Sequence, residues 1–414
     1  MKICSLYGAG FYYIPGTDTC IKVGGWVRMQ TAYGYAGNMT NGPMVANVAN
    51  RSTTDFNTRN RGYITADARS QTEYGTLRAY IAVGLSGDNA SNAPVATASA
   101  FNANRAFIQF AGFTAGRSQS FYDFMNYAAV SYNGGMVWTP GGADTGDGGK
   151  SLLAYTAQLG NGLSATIGME DPRRGTVSQI TNSTTLVAAS ATSGRVGDKM
   201  PDFVGNLRVD QAWGSAQIAG AIHDASAEYY AANLSAHPGN VLGYAISAGL
   251  RVNAPMLGVG DYFQAQFNWT KGAIMYATGG VNYSKTNGGE SGFGLLTDGV
   301  YGLAGDVELT KAWSAGASFE HNWNPKWKTS IYGGYTAVDY SDAANVLFGG
   351  GAVNEDFSTW QVGTRTAWAP VNNLEVGVDV MYTKLKSANS GVVATSQDQS
   401  AWIGHLRIQR NFYP

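Results

Sequence analysis

Charge is scarce in this chain. Asp, Glu, Lys and Arg make up 13% of its 414 residues, against roughly 25% in ordinary soluble domains. Long apolar runs are absent as well. Tyr229–Leu250, as long as any stretch free of those four residue types, holds Asn233, Ser235, His237, Pro238, Gly239 and Asn240. No segment therefore reads as a spanning helix, which needs about 20 mostly apolar residues. If the chain sits in a membrane, only a closed barrel remains, because backbone groups in lipid must satisfy one another. Cysteine is limited to Cys4 and Cys20, too few for a cysteine-based structural zinc site. The preferred reading is a disulfide closing the short N-terminal loop in an oxidising compartment. The alternative is a pair of free thiols. A basic excess is also missing: 27 Lys and Arg stand against 28 Asp and Glu, a formal net charge of −1. Nothing here supports a nucleic-acid partner, which needs a concentrated basic surface.

Catalytic signatures are missing too. His223, His237, His321 and His405 have no metal-type spacing, and neither a G-x-S-x-G elbow nor a G-x-x-x-x-G-K-[ST] loop occurs. No enzyme, metal or cofactor is expected, although a triad dispersed along the chain leaves no sequence signature. The chain opens without an apolar leader and a small-residue cleavage site. A mature exported chain is expected, with Met1 left from expression.

What is abundant is glycine, at 55 residues, with 24 Tyr and 10 Trp. The mean hydropathy is −0.16. What recurs is a segment of about ten residues alternating apolar with polar, the pattern of a transmembrane barrel strand. Ile21, Val23, Val27 and Met29 alternate with Lys22, Gly24, Trp26, Arg28 and Gln30. Leu374, Val376, Val378, Val380 and Tyr382 alternate with Glu375, Asp379 and Thr383. Such alternation puts one set on each face of a sheet.

The spacing predicts sixteen strands. Eight run one way, at about 20–33, 76–85, 114–120, 163–170, 215–224, 261–270, 327–340 and 374–385. Eight return, at about 58–72, 103–111, 151–159, 202–211, 242–253, 312–323, 357–369 and 398–412. Short turns join them on one side. Long polar connections, rich in Gly, Ser, Asn, Asp and Thr, join them on the other, where a soluble compact domain would not place so many. The fold class is all-β: a 16-stranded antiparallel transmembrane barrel over 20–412, preceded by a segment 1–19 closed by the cysteines. Tyr74, Phe113, Tyr155, Trp213, Trp313, Trp323, Trp327, Trp360, Trp368, Trp402 and Phe412 fall near strand ends, where membrane interfaces favour aromatic rings.

If the apolar sets face lipid, the polar sets face a lumen. That assigns Lys22, Arg28, Arg59, Arg61, Arg69, Arg78, Arg105 and Arg117 to a cationic wall in the first third of the chain. Arg251, Arg365 and Arg407 are expected to point inward as well. The third long connection, about 121–150, carries Asp123, Asp144 and Asp147. Folded inward, it would set these carboxylates opposite the arginines. The transverse field would then order water, favour small hydrophilic species and bias ion passage.

The stretch from Cys4 through Ile14-Pro15-Gly16 to Cys20 and on to Arg28 resembles the opening of the alphaproteobacterial general porins, the trimeric porins of rhizobia-like bacteria. Three later stretches are similar to that family: Thr58–Arg78, with Tyr74-Gly75 at its turn; Phe110–Asp123, with Gly116-Arg117 and Phe121-Tyr122-Asp123; and His321–Trp327 with the strand after it. The resemblance spans essentially the whole chain. It implies a homotrimer in the outer membrane, among lipid and lipopolysaccharide, and passive diffusion of ions and small hydrophilic solutes through one pore per subunit. It also implies short periplasmic turns, long extracellular loops, an inward-folded third loop and a Cys4–Cys20 bridge near the periplasmic end. Barrels of this kind commonly end on an aromatic residue; here Phe412 is followed by Tyr413 and Pro414. The competing expectations are a substrate-selective channel for anions or sugars, a plugged barrel acting as adhesin or enzyme, and a soluble carbohydrate-binding β protein.

Overall fold

The computed structural model describes residues 2–33, 56–88, 100–125, 127–132, 149–173, 180–182, 196–197, 199–228, 238–278, 290–291, 294–295, 297–301, 306–349, 354–387 and 399–412. Sixteen long strands form one antiparallel sheet. In chain order they are β1 (Cys20–Tyr33), β2 (Phe56–Thr72), β3 (Gly75–Asp88), β4 (Ala100–Phe110), β5 (Phe113–Ser118), β6 (Lys150–Gly160), β7 (Leu163–Glu170) and β8 (Asp202–Gln211). The second half is β9 (Gly214–Asp224), β10 (Leu242–Asn253), β11 (Tyr262–Lys271), β12 (Lys311–Asn324), β13 (Trp327–Asp339), β14 (Phe357–Trp368), β15 (Leu374–Ser387) and β16 (Gln399–Phe412). Each pairs with the next, and β1 pairs with β16 from Gly25↔Phe412 to Tyr33↔Gly404. The sheet thus closes on itself and leaves no open edge, the condition for a sheet in lipid.

Turn chemistry explains the short side. The two-residue link Asn161-Gly162 has positive φ at both positions, 50° and 76°, the backbone of the hairpin turn that matches strand twist. Only glycine and a few polar residues adopt it readily. Asn324 holds another turn by accepting the Lys326 and Trp327 N–H groups.

Alternation is clean. Along β10, Leu242, Tyr244, Ile246 and Leu250 are exposed outward, while Ala245 and Ser247 are buried inward. The outward aromatics pair across strands near both ends: Phe113 with Tyr155, Trp327 with Trp368, Tyr382 with Trp402. Trp26 is an inward exception, stacked on Tyr63 with ring centroids 4.8 Å apart.

Several long connections carry structure of their own. A short helix lies at Met275–Thr278 and a longer one at Asp342–Gly349. Ile180–Asn182 pairs in parallel with Gly299–Tyr301, which pairs with Val307–Leu309. Tyr276 and Tyr301 are fully buried there. Periodicity could not reveal these pieces, because two- and three-residue strands carry no period.

Candidate functional site: the inner wall and the third connection

The inward set of β1 and β2 brings charged residues into register. Arg28 faces Arg61, Gln30 faces Arg59, and Lys22 faces Asp67. From the other side, Gln30 faces Arg407 and Arg28 faces Gln409. Arg28, Arg59, Arg61 and Arg407 therefore converge from three adjacent strands. Arg28 Nε donates to Gln409 Oε1 at 2.6 Å, and Arg61 Nη2 to Gln30 Oε1 at 2.7 Å. Trp26 lies beneath two of these cations, 4.2 Å from Arg28 and 5.7 Å from Arg61. A guanidinium over an indole face is stabilised by the ring quadrupole, which keeps it in place without neutralising it.

Nearer the short-turn end a carboxylate offsets part of the positive charge. Asp67 accepts from Arg69 at 3.0 and 2.7 Å and from Arg78 at 3.0 and 3.0 Å. Two guanidiniums thus share one carboxylate in fork-to-fork geometry. Arg105 lies on the inward register opposite Ala82, and its Nη1 donates to the Asn104 carbonyl.

Arg117 departs from the expectation. It stands opposite Ala106 and Ser151, in register with the exposed Ile108 and Leu153 rather than with the inward set. β5 has only six residues, and Arg117 is its penultimate one.

The third connection leaves β5 and turns inward. Glu170 receives the Ser120 hydroxyl at 2.9 Å and the Phe121 N–H at 3.0 Å. Asn206 and Gln217 donate to the carbonyls of residues 121–123, and Gln266 accepts the Met125 N–H at 2.8 Å. These partners sit on β8, β9 and β11. Further on, Arg365 of β14 donates to the carbonyls of Ala128 and Val130. Asp379 of β15 accepts from the Ser131 hydroxyl at 2.6 Å and the Tyr132 N–H at 3.2 Å. Arg407 and Gln30 both donate to the Tyr132 carbonyl. Residues 120–125 and 127–132 thus follow the inner wall from β7 round to β1, with Tyr132 beside the arginine cluster. Where the Tyr132 ring lies against the wall, the wall is glycine: a Cβ on Gly377 would sit 1.8 Å from the Tyr132 hydroxyl. Replacing Gly377 with Ala is therefore expected to push Tyr132 off the wall, making single-channel current noisier and raising mean conductance. Equally quiet recordings would show that the contact is dispensable.

The acidic residues do not behave as a set. Asp123 is buried and ion-paired with Arg173, not turned to the arginine wall. Its carboxylate could enter the close-packed seam between connections only with a cation of its own. Asp144 and Asp147 lie outside the described residues. Arg173 carries no sequence signal, coming 50 residues after its partner in a polar stretch. It packs over the rings of Tyr276 at 4.4 Å and Tyr122 at 5.2 Å, and its N–H reaches Asp202. Tyr276 and His223 also bind Asp202, at 2.8 and 2.7 Å. Burial works against the Arg173 charge, but Asp123, with Tyr276 and Glu170, more than restores it and raises its pKa.

Most other inward carboxylates lie against a base or under this connection. Glu320 meets Arg365 and Lys328, Glu375 meets Lys328 and the Tyr132 hydroxyl, and Asp379 meets His405. Among these residues Glu320, Glu375 and Asp379 lie on β12 and β15, while Arg407, Arg28, Arg59 and Arg61 lie on β16, β1 and β2. Cys4 and Cys20 form a disulfide, as the resemblance implied.

Comparison with known proteins follows the same line. A family model described as a porin subfamily matches residues 1–405. Porin Omp2b of Brucella suis biovar 1 (strain 1330) is 26% identical over 429 residues, covering 100% of this chain and 90% of the relative. Among solved structures, the outer membrane channel DcaP of Acinetobacter baumannii superposes with a TM-score of 0.66 at 11% identity, covering 97% of this chain and 99% of that one. An anion-selective porin from Comamonas acidovorans gives a TM-score of 0.51 at 14% identity, covering 95% and 100%.

Proposed function

The chain belongs to the porin subfamily and is an outer-membrane channel for passive diffusion, and from that premise we propose that residues 120–132 form its constriction and that the wall opposite makes it prefer small anions. The observation that carries this reading is the path of the third connection. Its described residues are tied to β8, β9, β11, β14 and β15, and the last of them, Tyr132, lies beside Arg407 and Gln30. On this reading solutes pass along β1–β4, where Arg28, Arg59, Arg61 and Arg105 lie on the inward register. In a narrow low-dielectric passage, several like charges act together on a passing ion. The preference rests on the density of guanidiniums in that stretch, and the anion-selective Comamonas relative of this fold is consistent with it. Flux into reconstituted liposomes tests it: a small monocarboxylate should enter faster than an ammonium ion of similar size. Equal rates, or the reverse order, contradict the anion preference.

The subunit contact of a homotrimer is proposed on the outer face of β2. Its outward residues are Thr58, Asn60, Gly62, Ile64, Ala66, Ala68 and Ser70, all but Ile64 small or polar where other strands present Leu, Ile, Val and Phe to lipid. Small outward residues let two walls approach closely and give lipid little to hold. Replacing Ala66 with Trp is expected to turn trimers into monomers on unheated detergent gels. A persistent trimer would move the contact elsewhere.

A further inference from the structure

At the seam, β1 extends beyond its closing partner. β16 ends at Phe412 opposite Gly25, so no described β16 residue pairs with the first five residues of β1. A small hairpin takes part of that place. Tyr12 and Tyr13 pair with Ile21 and Cys20, and Ile3 pairs in turn with Tyr12. The Cys4 N–H donates to the Phe11 carbonyl and the Tyr13 N–H to that of Lys2. In a flat sheet, a residue on the second added strand would lie about 9–10 Å from β1, two strand spacings. The Cα atoms of Cys4 and Cys20 are 6.0 Å apart. The hairpin is therefore rolled over one face of the sheet.

That face is the inward one. Cys20, Lys22 and Arg69 all belong to the inward set. The Phe11 ring lies 6.0 Å from the Lys22 ammonium and 5.0 Å from the Arg69 guanidinium, and the Tyr7 ring 5.7 Å from Arg69. Cys4, Phe11 and Cys20 are buried together, with Tyr7 and Tyr13 packed against them. The tip, Ser5–Tyr7, keeps Leu6 exposed.

We propose that this hairpin is a ledge standing in the periplasmic mouth, a second narrowing in series with the constriction at residues 120–132. The proposal rests on the lumen being the conduction path. The ledge acts mainly by bulk. Asp67 bonds both Arg69 and Arg78 beside it. The mouth offers solutes aromatic faces backed by cations, with Arg78 over Tyr80 and Phe107 continuing the row. The disulfide holds the ledge over the inner face rather than letting the hairpin swing out.

The test replaces Leu6 with Cys in the full chain. The reconstituted channel is then labelled from the periplasmic side with thiol reagents of increasing bulk. Wild type, whose cysteines are both bridged, is the control. The expected result is a loss of single-channel conductance that grows with reagent size and is the same for cationic and anionic reagents, with the reversal potential unchanged. Unchanged conductance at full labelling, verified by mass, overturns the ledge. A second variant, Phe11→Ala, should raise conductance without moving the reversal potential, and an unaltered conductance there also counts against it. A channel that ignores Leu6 labels yet loses selectivity when its arginines are neutralised refutes the ledge alone. The converse refutes the anion preference alone.

Discussion

Replacing Arg173 with Met is expected to raise single-channel conductance and to lower the thermal stability of the folded barrel in detergent. The guanidinium is buried and holds the buried carboxylate of Asp123. It also fills the space between Tyr122 and Tyr276. Removing it leaves Asp123 without that partner, in a place that water reaches poorly. Breaking a buried pair by removing one partner typically costs about 3–5 kcal/mol. The chain escapes part of that cost by letting residues 121–123 leave the wall, and this is why conductance should respond. The double replacement of Asp123 by Leu and Arg173 by Met separates charge from packing. It should recover much of the lost thermal midpoint, since replacing both partners by apolar groups is often near neutral. A double variant no more stable than the single one would show that the ion pair is not the anchor.

The second large effect is on selectivity. Changing Arg28, Arg59 and Arg61 together to Gln should shift the zero-current potential under a salt gradient toward cations. These three share the inward register of two paired strands, so their fields overlap within a distance of the order of the Debye length of about 8–10 Å. Arg117→Gln should leave the potential where it was, because its register is outward. Raising the salt concentration should shrink the effect through screening. Equal shifts from Arg117 and from the triple variant would mean that register is the wrong guide to pore lining.

Much of the frame was legible before any coordinates. β1, β7, β8 and β10 begin and end where alternation and turn residues put them. Strand period and turn chemistry are local, and both are written into ten or fewer neighbouring residues. The path of the third connection is different. Its anchors are Gln217, Gln266, Arg365 and Asp379, about 90 to 250 residues from the backbone groups they hold. A backbone carbonyl acceptor or N–H donor leaves no mark on residue identity. Asp123 misled for the same reason: its carboxylate reads as a lumenal charge until Arg173 is seen beside it. Trp26 was the opposite case. Its place in the polar set was plain from alternation, and the cations above it account for an indole on that face.

The most direct test of the central claim is the zero-current potential of the purified wild-type protein in a planar bilayer under a salt gradient. A constriction set against the arginine-bearing wall predicts an open channel whose potential has the sign of anion preference. A potential of the cationic sign, or protein that inserts without conducting, would contradict the account.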